Sequence, residues 1–257
     1  MRVGHALIIG AMKCGTTSLF AYLDQHPDIA CASTKELDYF SVDDNWARGW
    51  AWYRAQWPAD AATRAWALEA STSYTKLPAH PHAAERIAAS PARFKLIYLV
   101  RDPLERIESH YSHGRRLGWV ESQRPLAEHI APRLVQFSRY ATQLAPYEAR
   151  FPASDLLVLD AAALERAPGE VLARVCAFLE ISTEITFDAS GRFNTGAEWE
   201  RLPATATGEV EPRARLTPAQ RREIARALRD ELTALERRHG IAVRSWPTWR
   251  ELDAVAR

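Results

Sequence analysis

The chain has 257 residues, which is enough for one large domain or two small ones. Hydrophobic residues make up 47% and charged residues 25%, as in ordinary globular proteins, and a net charge of +1 argues against the basic field of a nucleic-acid binder. The three cysteines are odd in number and form no CxxC pair, which argues against a disulfide framework or a structural zinc site and fits a reducing compartment.

The N-terminal stretch "VGHALIIGAM" is apolar but short. It has only Arg2 before it and no small-residue cleavage pattern after it, so it predicts a buried strand rather than a signal peptide. No run of 18 apolar residues occurs, so we expect no membrane span. The alanine- and arginine-rich composition indicates a bacterial source, and we expect a cytoplasmic location.

Buried strands alternate with amphipathic helices along the chain. Continuous apolar runs predict strands at 5–10, 66–70, 94–100 and 156–160. Apolar residues at helical spacing predict helices at 16–26, 81–90, 103–118, 168–180 and 217–240. This alternation predicts a single α/β domain over residues 1–257, of P-loop-like type, with a mostly parallel central sheet flanked by helices on both faces.

The last long helix carries complete punctuation in the sequence. Thr217 can cap its start, Pro218 suits its first turn, and Gly240 can end it. The helix boundaries are therefore predicted at these residues.

The segment "GAMKCGTTS" lies where a ligand binds in an open α/β sheet, just beyond a strand. Gly10 and Gly15 permit a tight turn, and the amides of residues 14–18 favour an anion at the helix start. A nucleoside-triphosphatase loop reads GxxxxGK[ST], but here Thr16 replaces that lysine and Lys13 lies on the loop itself. The pattern predicts a nucleotide phosphate bound without a metal; a plain turn with a solvated lysine is the alternative.

A second motif follows the strand at 94–100. In "LIYLVRDPLERIESHYSH", Arg101 stands at the strand end and Ser109 eight residues further on. Together with "GAMKCGTTSL", this resembles the two nucleotide-binding motifs of the sulfotransferases that use 3′-phosphoadenosine 5′-phosphosulfate (PAPS). The stretch "HPDIACASTKELDYFS" is similar to the heparan-sulfate and glycan branch of that family and its bacterial relatives.

The resemblance implies PAPS as cofactor, adenosine 3′,5′-bisphosphate (PAP) as product, and no metal. It implies that the first motif holds the 5′-phosphosulfate through Lys13, Cys14, Gly15, Thr16, Thr17 and Ser18. Lys13 would also stabilise the charge that develops on the leaving oxygen. Arg101 and Ser109 would hold the 3′-phosphate, and a basic loop containing Arg213 and Arg215 would close over it.

On the acceptor side, the resemblance implies that Glu36 is the general base that takes the proton of the acceptor hydroxyl. Lys35 either pairs with Glu36 or contacts the sulfate. The chain departs from the family at Asp38, where a histidine is common, and at Ala70, where a lysine is found. Further candidates for acceptor contacts are Trp50 and Glu69. Alternatively, Glu69 is a structural residue and Trp50 belongs to an aromatic stripe of the core.

Other functions and roles stay open at this point. A P-loop kinase that uses ATP and magnesium, or a non-catalytic nucleotide-binding protein, is an alternative to the sulfotransferase. If Glu36 is not the base, Glu69 and the histidines His26, His80 and His110 are the next candidates. The acceptor is expected to be a glycan or small natural product bearing a hydroxyl, with an amine also open, and we expect no nucleic-acid or membrane partner. The oligomeric state is open.

Overall fold

The structure is a computed structural model, and it describes residues 3–119, 123–188 and 214–255. Within these ranges, five strands form one parallel sheet: β1 (Gly4–Gly10), β2 (Ile29–Cys31), β3 (Trp66–Ala70), β4 (Phe94–Val100) and β5 (Leu156–Asp160). The strand order is β2-β3-β1-β4-β5. The predicted parallel α/β sheet is confirmed.

The central strands form because their residues are apolar on both faces of the sheet. Every residue of β1, β3 and β4 is buried, which matches the continuous apolar runs in their sequences. In the register of the sheet, Leu7 of β1 lies beside Glu69 of β3 on one side and Leu96 of β4 on the other. A carboxylate is therefore placed among the buried strands.

The helices begin close to the predicted positions where the sequence carries punctuation. Their bounds are α1 (Thr16–Leu23), α2 (Asp43–Trp46), α3 (Gly49–Arg54), α4 (Ala83–Ala89), α5 (Pro103–Leu117), α6 (Pro132–Gln136), α7 (Tyr140–Glu148), α8 (Ala161–Arg166), α9 (Pro168–Leu179), α10 (Pro218–His239) and α11 (Pro247–Val255). Short 3₁₀ turns lie at Ala59–Thr63, Thr72–Thr75, Ala153–Asp155 and Val243–Ser245. No helix in the described ranges is long and apolar enough to cross a membrane.

The strand order creates a crevice at the carboxyl end of β1. The chain leaves β1 through α1 toward β2 on one side, and it leaves β3 through α4 toward β4 on the other. Because such connections are right-handed, α1 and α4 cover opposite faces of the sheet. The reversal lies between β1 and β4, which is the position where ligands bind in folds of this type.

The chain divides into two compact units. The first comprises Met1–Val100 and Leu144–Phe193 and contains the sheet. The second comprises Arg101–Gln143 and Asn194–Arg257. The interpretation of residues 1–257 as a single domain stays a prediction.

In the second unit, α10 packs against α5 and α11 through an apolar stripe. The start of α10 is a capping box: Thr217 Oγ1 accepts a bond from Gln220 N at 3.3 Å, and Gln220 Oε1 accepts one from Thr217 N at 2.9 Å. Gly240 ends the helix with φ of 67°. The predicted boundaries of this helix are confirmed.

Candidate active site

The predicted phosphate loop connects β1 to α1 as a tight turn. Gly10 and Gly15 have φ of 148° and 85°, in the region that favours glycine. A Cβ atom at Gly10 would collide with Thr75 Oγ1 and lie 2.9 Å from Tyr98 Cε2. Ala11 N donates to Leu99 O at 2.7 Å, which fixes the loop to β4. The loop geometry therefore requires the first glycine of the motif.

The loop delivers backbone amides to the start of α1. Because α1 begins at Thr16, the amides of its first turn have no carbonyl partner within the helix, and Gly15 supplies no capping side chain. Cys14 is buried, its thiol lies 3.8 Å from Met12 O, and its backbone N donates to Ala11 O at 3.2 Å, so its contact with the cofactor stays a prediction. Thr17 and Ser18 are half-buried, as is Lys13. Such a turn is suited to an anion.

The segment that carries Glu36 runs past the carboxyl end of β3. Glu36 N donates to Ala70 O at 2.8 Å, so the segment continues the hydrogen bonding of the sheet edge. Its side-chain Oε2 accepts bonds from Thr72 N at 2.8 Å and Thr72 Oγ1 at 3.2 Å. Lys35 Nζ lies 2.5 Å from Oε1. The side chain of Glu36 keeps 36% of its area exposed, so a substrate can reach this carboxylate.

Asp38 lies two residues further along and is half-buried. Its carboxylate accepts a bond from Ser73 Oγ, and its backbone N donates to Ser71 Oγ at 3.1 Å. Burial raises the pKa of Asp38, the Ser73 hydroxyl lowers it, and the nearby Glu36 charge raises it further. The two carboxyl groups of this segment therefore have different environments.

Glu69 is an interior residue. Its side chain has no exposed area, and Oε1 accepts bonds from Ser71 Oγ at 2.8 Å and Tyr74 OH at 2.5 Å. Oε2 has no hydrogen-bond partner among the described residues. Burial raises the pKa of Glu69 to about 7, against the stabilising hydroxyls of Tyr74 and Ser71. The structure gives no support to the expected acceptor contact of Glu69, because a buried side chain cannot reach an acceptor. It supports the alternative that Glu69 is a structural residue.

The segment "STSYT", residues 71–75, has a role that the sequence patterns did not predict. Each of its five hydroxyl groups is hydrogen-bonded. Four of them bind carboxylates: Ser71 and Tyr74 bind Glu69, Thr72 binds Glu36, and Ser73 binds Asp38. Thr75 Oγ1 donates to Ile9 O at 2.7 Å, just before the loop. An uninterrupted run of hydroxyl residues after a buried strand is the signal that could have identified it.

Trp50 lies at the opposite end of the sheet from the loop. Its ring stacks on that of Tyr53, with 5.0 Å between the ring centroids. The centroid distances are 5.3 Å to His5, near the start of β1, and 6.4 Å to Phe94, the first residue of β4. The loop follows the other end of these parallel strands. The packing supports the core alternative for Trp50 and gives no support to an acceptor contact.

Two of the three histidine alternatives for the base are buried and hydrogen-bonded within the protein. His26 is 1% exposed, receives a bond from Asp28 N at 3.0 Å and lies 3.0 Å from Ser182 O. His110 is equally buried and lies 3.2 Å from the Arg106 guanidinium. His80 is half-buried, and its Nδ1 lies 3.1 Å from Ser41 O. Glu36 is the better-exposed candidate.

In the second unit, Arg101 lies in the turn that precedes α5, and Ser109 lies in the middle of that helix. Asp102 caps the helix, accepting a bond from Glu105 N at 3.1 Å. The guanidinium of Arg101 contacts Glu105 Oε2 through Nε and Nη2, each at 3.0 Å. Arg101, Glu105 and Ser109 are four residues apart and all half-buried, so they follow one helix face.

Arg215 pairs with a buried carboxylate of α5. Its Nη1 lies 2.8 Å from Glu108 Oε2, and the neighbouring Leu216 N donates to Glu108 Oε1 at 3.1 Å. The side chain of Arg215 remains 66% exposed. Its predicted contact with the 3′-phosphate stays a prediction, and Arg213 lies outside the described residues. Across the part of the chain that is described, no cluster of three His, Cys, Asp or Glu side chains is arranged to hold a metal ion.

The sequence model of the sulfotransferase domain matches residues 4–198. Heparan sulfate glucosamine 3-O-sulfotransferase 3A1 from Mus musculus is 30% identical over 252 residues, covering 88% of this chain and 59% of that protein. Bifunctional heparan sulfate N-deacetylase/N-sulfotransferase 2 from Homo sapiens is 27% identical over 212 residues, covering 75% of this chain and 24% of that protein. The chain thus spans only part of the length of these relatives.

Solved structures agree with the sequence match. A sulfotransferase from Alicyclobacillus acidocaldarius superposes with a TM-score of 0.70 and 26% identity, covering 97% of this chain and all of that one. Mouse sulfotransferase SULT7A1, complexed with PAP, has a TM-score of 0.55 at 16% identity over 94% of this chain and 87% of its own, a likeness of fold alone. With the family model matching most of its length, this chain belongs to the sulfotransferase family.

Proposed function

We propose that this chain transfers the sulfuryl group of PAPS to a hydroxyl group of a glycan or small natural-product acceptor. The observation that carries the proposal is the placement of Glu36. Its exposed carboxylate is held by Lys35 and Thr72 at the carboxyl end of β3, and β3 is the direct neighbour of the strand that leads into the phosphate loop. A proton acceptor and an anion-binding turn therefore lie at the same edge of the sheet.

The phosphate loop has the donor set that the 5′ side of PAPS needs. The amides at the start of α1 and the hydroxyls of Thr17 and Ser18 provide neutral donors, and Lys13 provides a positive charge. When bound, PAPS supplies the sulfuryl group and leaves as PAP. The crystal structure of the mouse family member with PAP supports this choice of cofactor.

Three groups of the chain carry the transfer. The acceptor hydroxyl attacks sulfur and gives its proton to the Glu36 carboxylate, while the bond from sulfur to the leaving phosphate oxygen breaks and that oxygen keeps the electron pair. Lys13 stabilises the negative charge that grows on the leaving oxygen, and the loop amides hold the phosphate in place. Positioning and electrostatics therefore supply the catalysis.

We assign the 3′-phosphate contact to Arg101 and Ser109. Arg101 binds one carboxylate oxygen of Glu105 through two nitrogens, so its guanidinium already holds an oxyanion on this helix face, which supports it as a candidate for a phosphate. A 3′-phosphate would have to share or replace Glu105 as the partner of Arg101. Ser109 adds a hydroxyl one helical turn beyond Glu105.

The acceptor class follows from the relatives and from one departure. The mouse relative is named for glucosamine of heparan sulfate, which supports a sugar hydroxyl as the acceptor. In this chain Asp38 stands beside Glu36 as a second carboxyl group, half-buried and hydrogen-bonded to Ser73. It is placed to accept a hydrogen bond from a second hydroxyl group of the acceptor substrate. It also makes this site less cationic than a site with histidine at this position.

A PAPS-dependent sulfation screen tests the proposal. Purified protein is incubated with PAPS and a panel of glycans, amino sugars and natural-product alcohols, and mass spectrometry detects an added sulfuryl group. Glu36→Gln should lower kcat on the best acceptor by about 10²–10⁴-fold, because it keeps the shape and removes the basicity. The matched control is Glu170→Gln, an exposed glutamate of α9, which should retain wild-type turnover.

Lys13→Ala separates the two catalytic assignments. It should lower both kcat and the affinity for PAP, whereas Glu36→Gln should leave PAP affinity nearly unchanged. If Glu36→Gln retains more than about a third of wild-type kcat, Glu36 is not the base. If ATP with magnesium stabilises the protein and PAP does not, the choice of cofactor is wrong.

A further inference from the structure

Thr72 holds Glu36 through two donors on one carboxylate oxygen. The backbone N and the hydroxyl Oγ1 of Thr72 bind Oε2 of Glu36, at 2.8 Å and 3.2 Å. Among the described residues Lys35 is the other hydrogen-bond partner of this carboxylate, and it binds Oε1. The two oxygens of Glu36 are therefore in different surroundings.

The count of lone pairs distinguishes the two oxygens. A carboxylate oxygen accepts about two hydrogen bonds, and both positions on Oε2 are taken by Thr72. Lys35 takes one position on Oε1, so Oε1 keeps one position for a further hydrogen. Thr72 is buried, at 6% exposure, while Glu36 is exposed. The fixed oxygen thus lies against the buried Thr72, and the oxygen with remaining capacity lies beside Lys35, whose side chain is 22% exposed.

The backbone of Glu36 adds a reason for this anchoring. Its φ of 60° is a left-handed conformation that costs a non-glycine residue free energy. A glutamate that is not anchored also samples many rotamers. The backbone bond to Ala70 O restricts the backbone of Glu36, and the bonds from Thr72 restrict its side-chain rotamers, so the carboxylate is presented in one orientation.

Neighbouring hydroxyls do not share this task. Ser71 and Tyr74 bind Glu69, and Ser73 binds Asp38. Within the described residues, Thr72 is therefore the hydroxyl that contacts the proposed base.

We propose that Thr72 is a positioning residue of the transfer reaction, which occupies Oε2 of Glu36 and leaves Oε1 as the oxygen that receives the acceptor proton. This inference rests on the proposed function, since it assigns the orientation of the proposed base.

A double-mutant cycle tests the proposal with the acceptor found in the screen. The kcat and the KM for PAPS are measured for wild type, Thr72→Val, Glu36→Gln and the double variant. Thr72→Val keeps the backbone donor and removes the hydroxyl donor to a charged group, so kcat should fall about tenfold to a hundredfold while the KM for PAPS stays within about twofold. In the Glu36→Gln background the same substitution should change kcat less than about threefold, because the base it positions is already gone.

Two further variants exclude a purely structural effect. Thr72→Ser keeps the hydroxyl and should recover kcat to within about threefold of wild type. Thr63→Val removes a hydroxyl from another 3₁₀ turn, where Thr63 Oγ1 bonds Asp60 O at 2.7 Å on the surface, and should not change kcat. Melting temperatures show whether each variant is folded, and if Thr72→Val is unfolded at the assay temperature, Thr72→Ala takes its place in the cycle.

The outcomes are distinct. An equal loss of kcat from Thr72→Val in both backgrounds would show that Thr72 acts independently of Glu36 and would overturn the inference. A normal kcat for Thr72→Val beside a strong loss for Glu36→Gln would overturn the inference alone and leave the proposed function intact. A normal kcat for Glu36→Gln would remove the proposed base and, with it, the role of Thr72.

Discussion

Among single residues, the backbone conformations of Lys13, Glu36 and Asp38 are unusual. Their φ values are 68°, 60° and 52°, each in the left-handed region, where a non-glycine residue costs on the order of 1 kcal/mol or more. Glu180 also has a positive φ, but it ends α9, where a left-handed residue is an ordinary helix cap. The other three lie in the two segments to which we assign the reaction, and their strain supports that assignment.

The buried carboxyl of Glu69 makes folding stability depend on pH. The folded state holds its proton up to pH of about 7, because the pKa is raised to about 7, while the unfolded chain releases it near its ordinary value of 4.5. The stabilising contribution is therefore present below pH 4.5 and is lost as the pH rises to 7. Each pH unit in this window is worth about 1.4 kcal/mol, so the total loss is of order 3 kcal/mol.

Glu69→Gln should remove most of this pH dependence. Urea unfolding at pH 5 and pH 8 measures the free energy of unfolding of both proteins, and relative to wild type the variant should gain about 2–3 kcal/mol on going from pH 5 to pH 8. His5 acts with the opposite sign, since burial lowers its pKa from 6.5 to about 4, but it is present in both proteins and cancels in the comparison. Glu170→Gln is the control. An unchanged pH dependence in Glu69→Gln would show that Glu69 is ionised when folded.

At the scale of elements, the 3₁₀ turn Thr72–Thr75 and the residue before it connect the parts of the site. They bind Glu36, Asp38 and Glu69, and through Thr75 they reach the carbonyl of Ile9 at the entrance of the phosphate loop. A short segment that follows a buried strand therefore holds both Glu36, the proposed base, and the start of the loop. Its hydroxyl groups are used because they can donate to carboxylates and carbonyls in the interior.

The junction of β1 and the loop gives the next prediction. Gly10→Ala should lower the free energy of unfolding by about 2 kcal/mol or more, because the new Cβ would collide with Thr75 Oγ1 and the φ of 148° is strained for alanine. Gly169→Ala in α9 is the matched control, since nothing lies within 4 Å of its Cβ position, and it should be neutral or stabilise by up to about 1 kcal/mol. Equal unfolding midpoints in urea for the two variants would contradict the packing at Gly10.

For the whole molecule, ligand binding should appear as a rise in melting temperature. A ligand that binds only the folded state stabilises it, so PAP should raise the melting temperature more than ATP with magnesium does. Arg101→Ala should weaken PAP binding by about 2–3 kcal/mol, the scale of a lost charge-assisted hydrogen bond. Adenosine 5′-monophosphate lacks the 3′-phosphate, so its weak binding should hardly change. Equal losses for both nucleotides would show that Arg101 does not contact the 3′-phosphate.

The sequence by itself determined the elements that carry a local signal. The strands β1, β3, β4 and β5 are continuous apolar runs, and α10 is bounded by Thr217 and Gly240. The glycine spacing of the loop and the position of Glu36 and Arg101 were also readable, because each motif is local in sequence and its resemblance to a family is carried by a few residues. The edge strand β2 was missed, since three residues are too few for a period to appear.

Only the tertiary structure decided the partners of the site residues. The bond from Thr72 to Glu36 joins positions 36 residues apart, and the burial of Glu69 depends on the strands on either side of it. The same holds for Trp50, which packs at the amino ends of β1 and β4 although it lies only 14 residues after Glu36 in the sequence. Local patterns specify which residues are apolar or can donate, but which of them meet depends on strand order and crossover connections, and these are set by packing over the whole sheet.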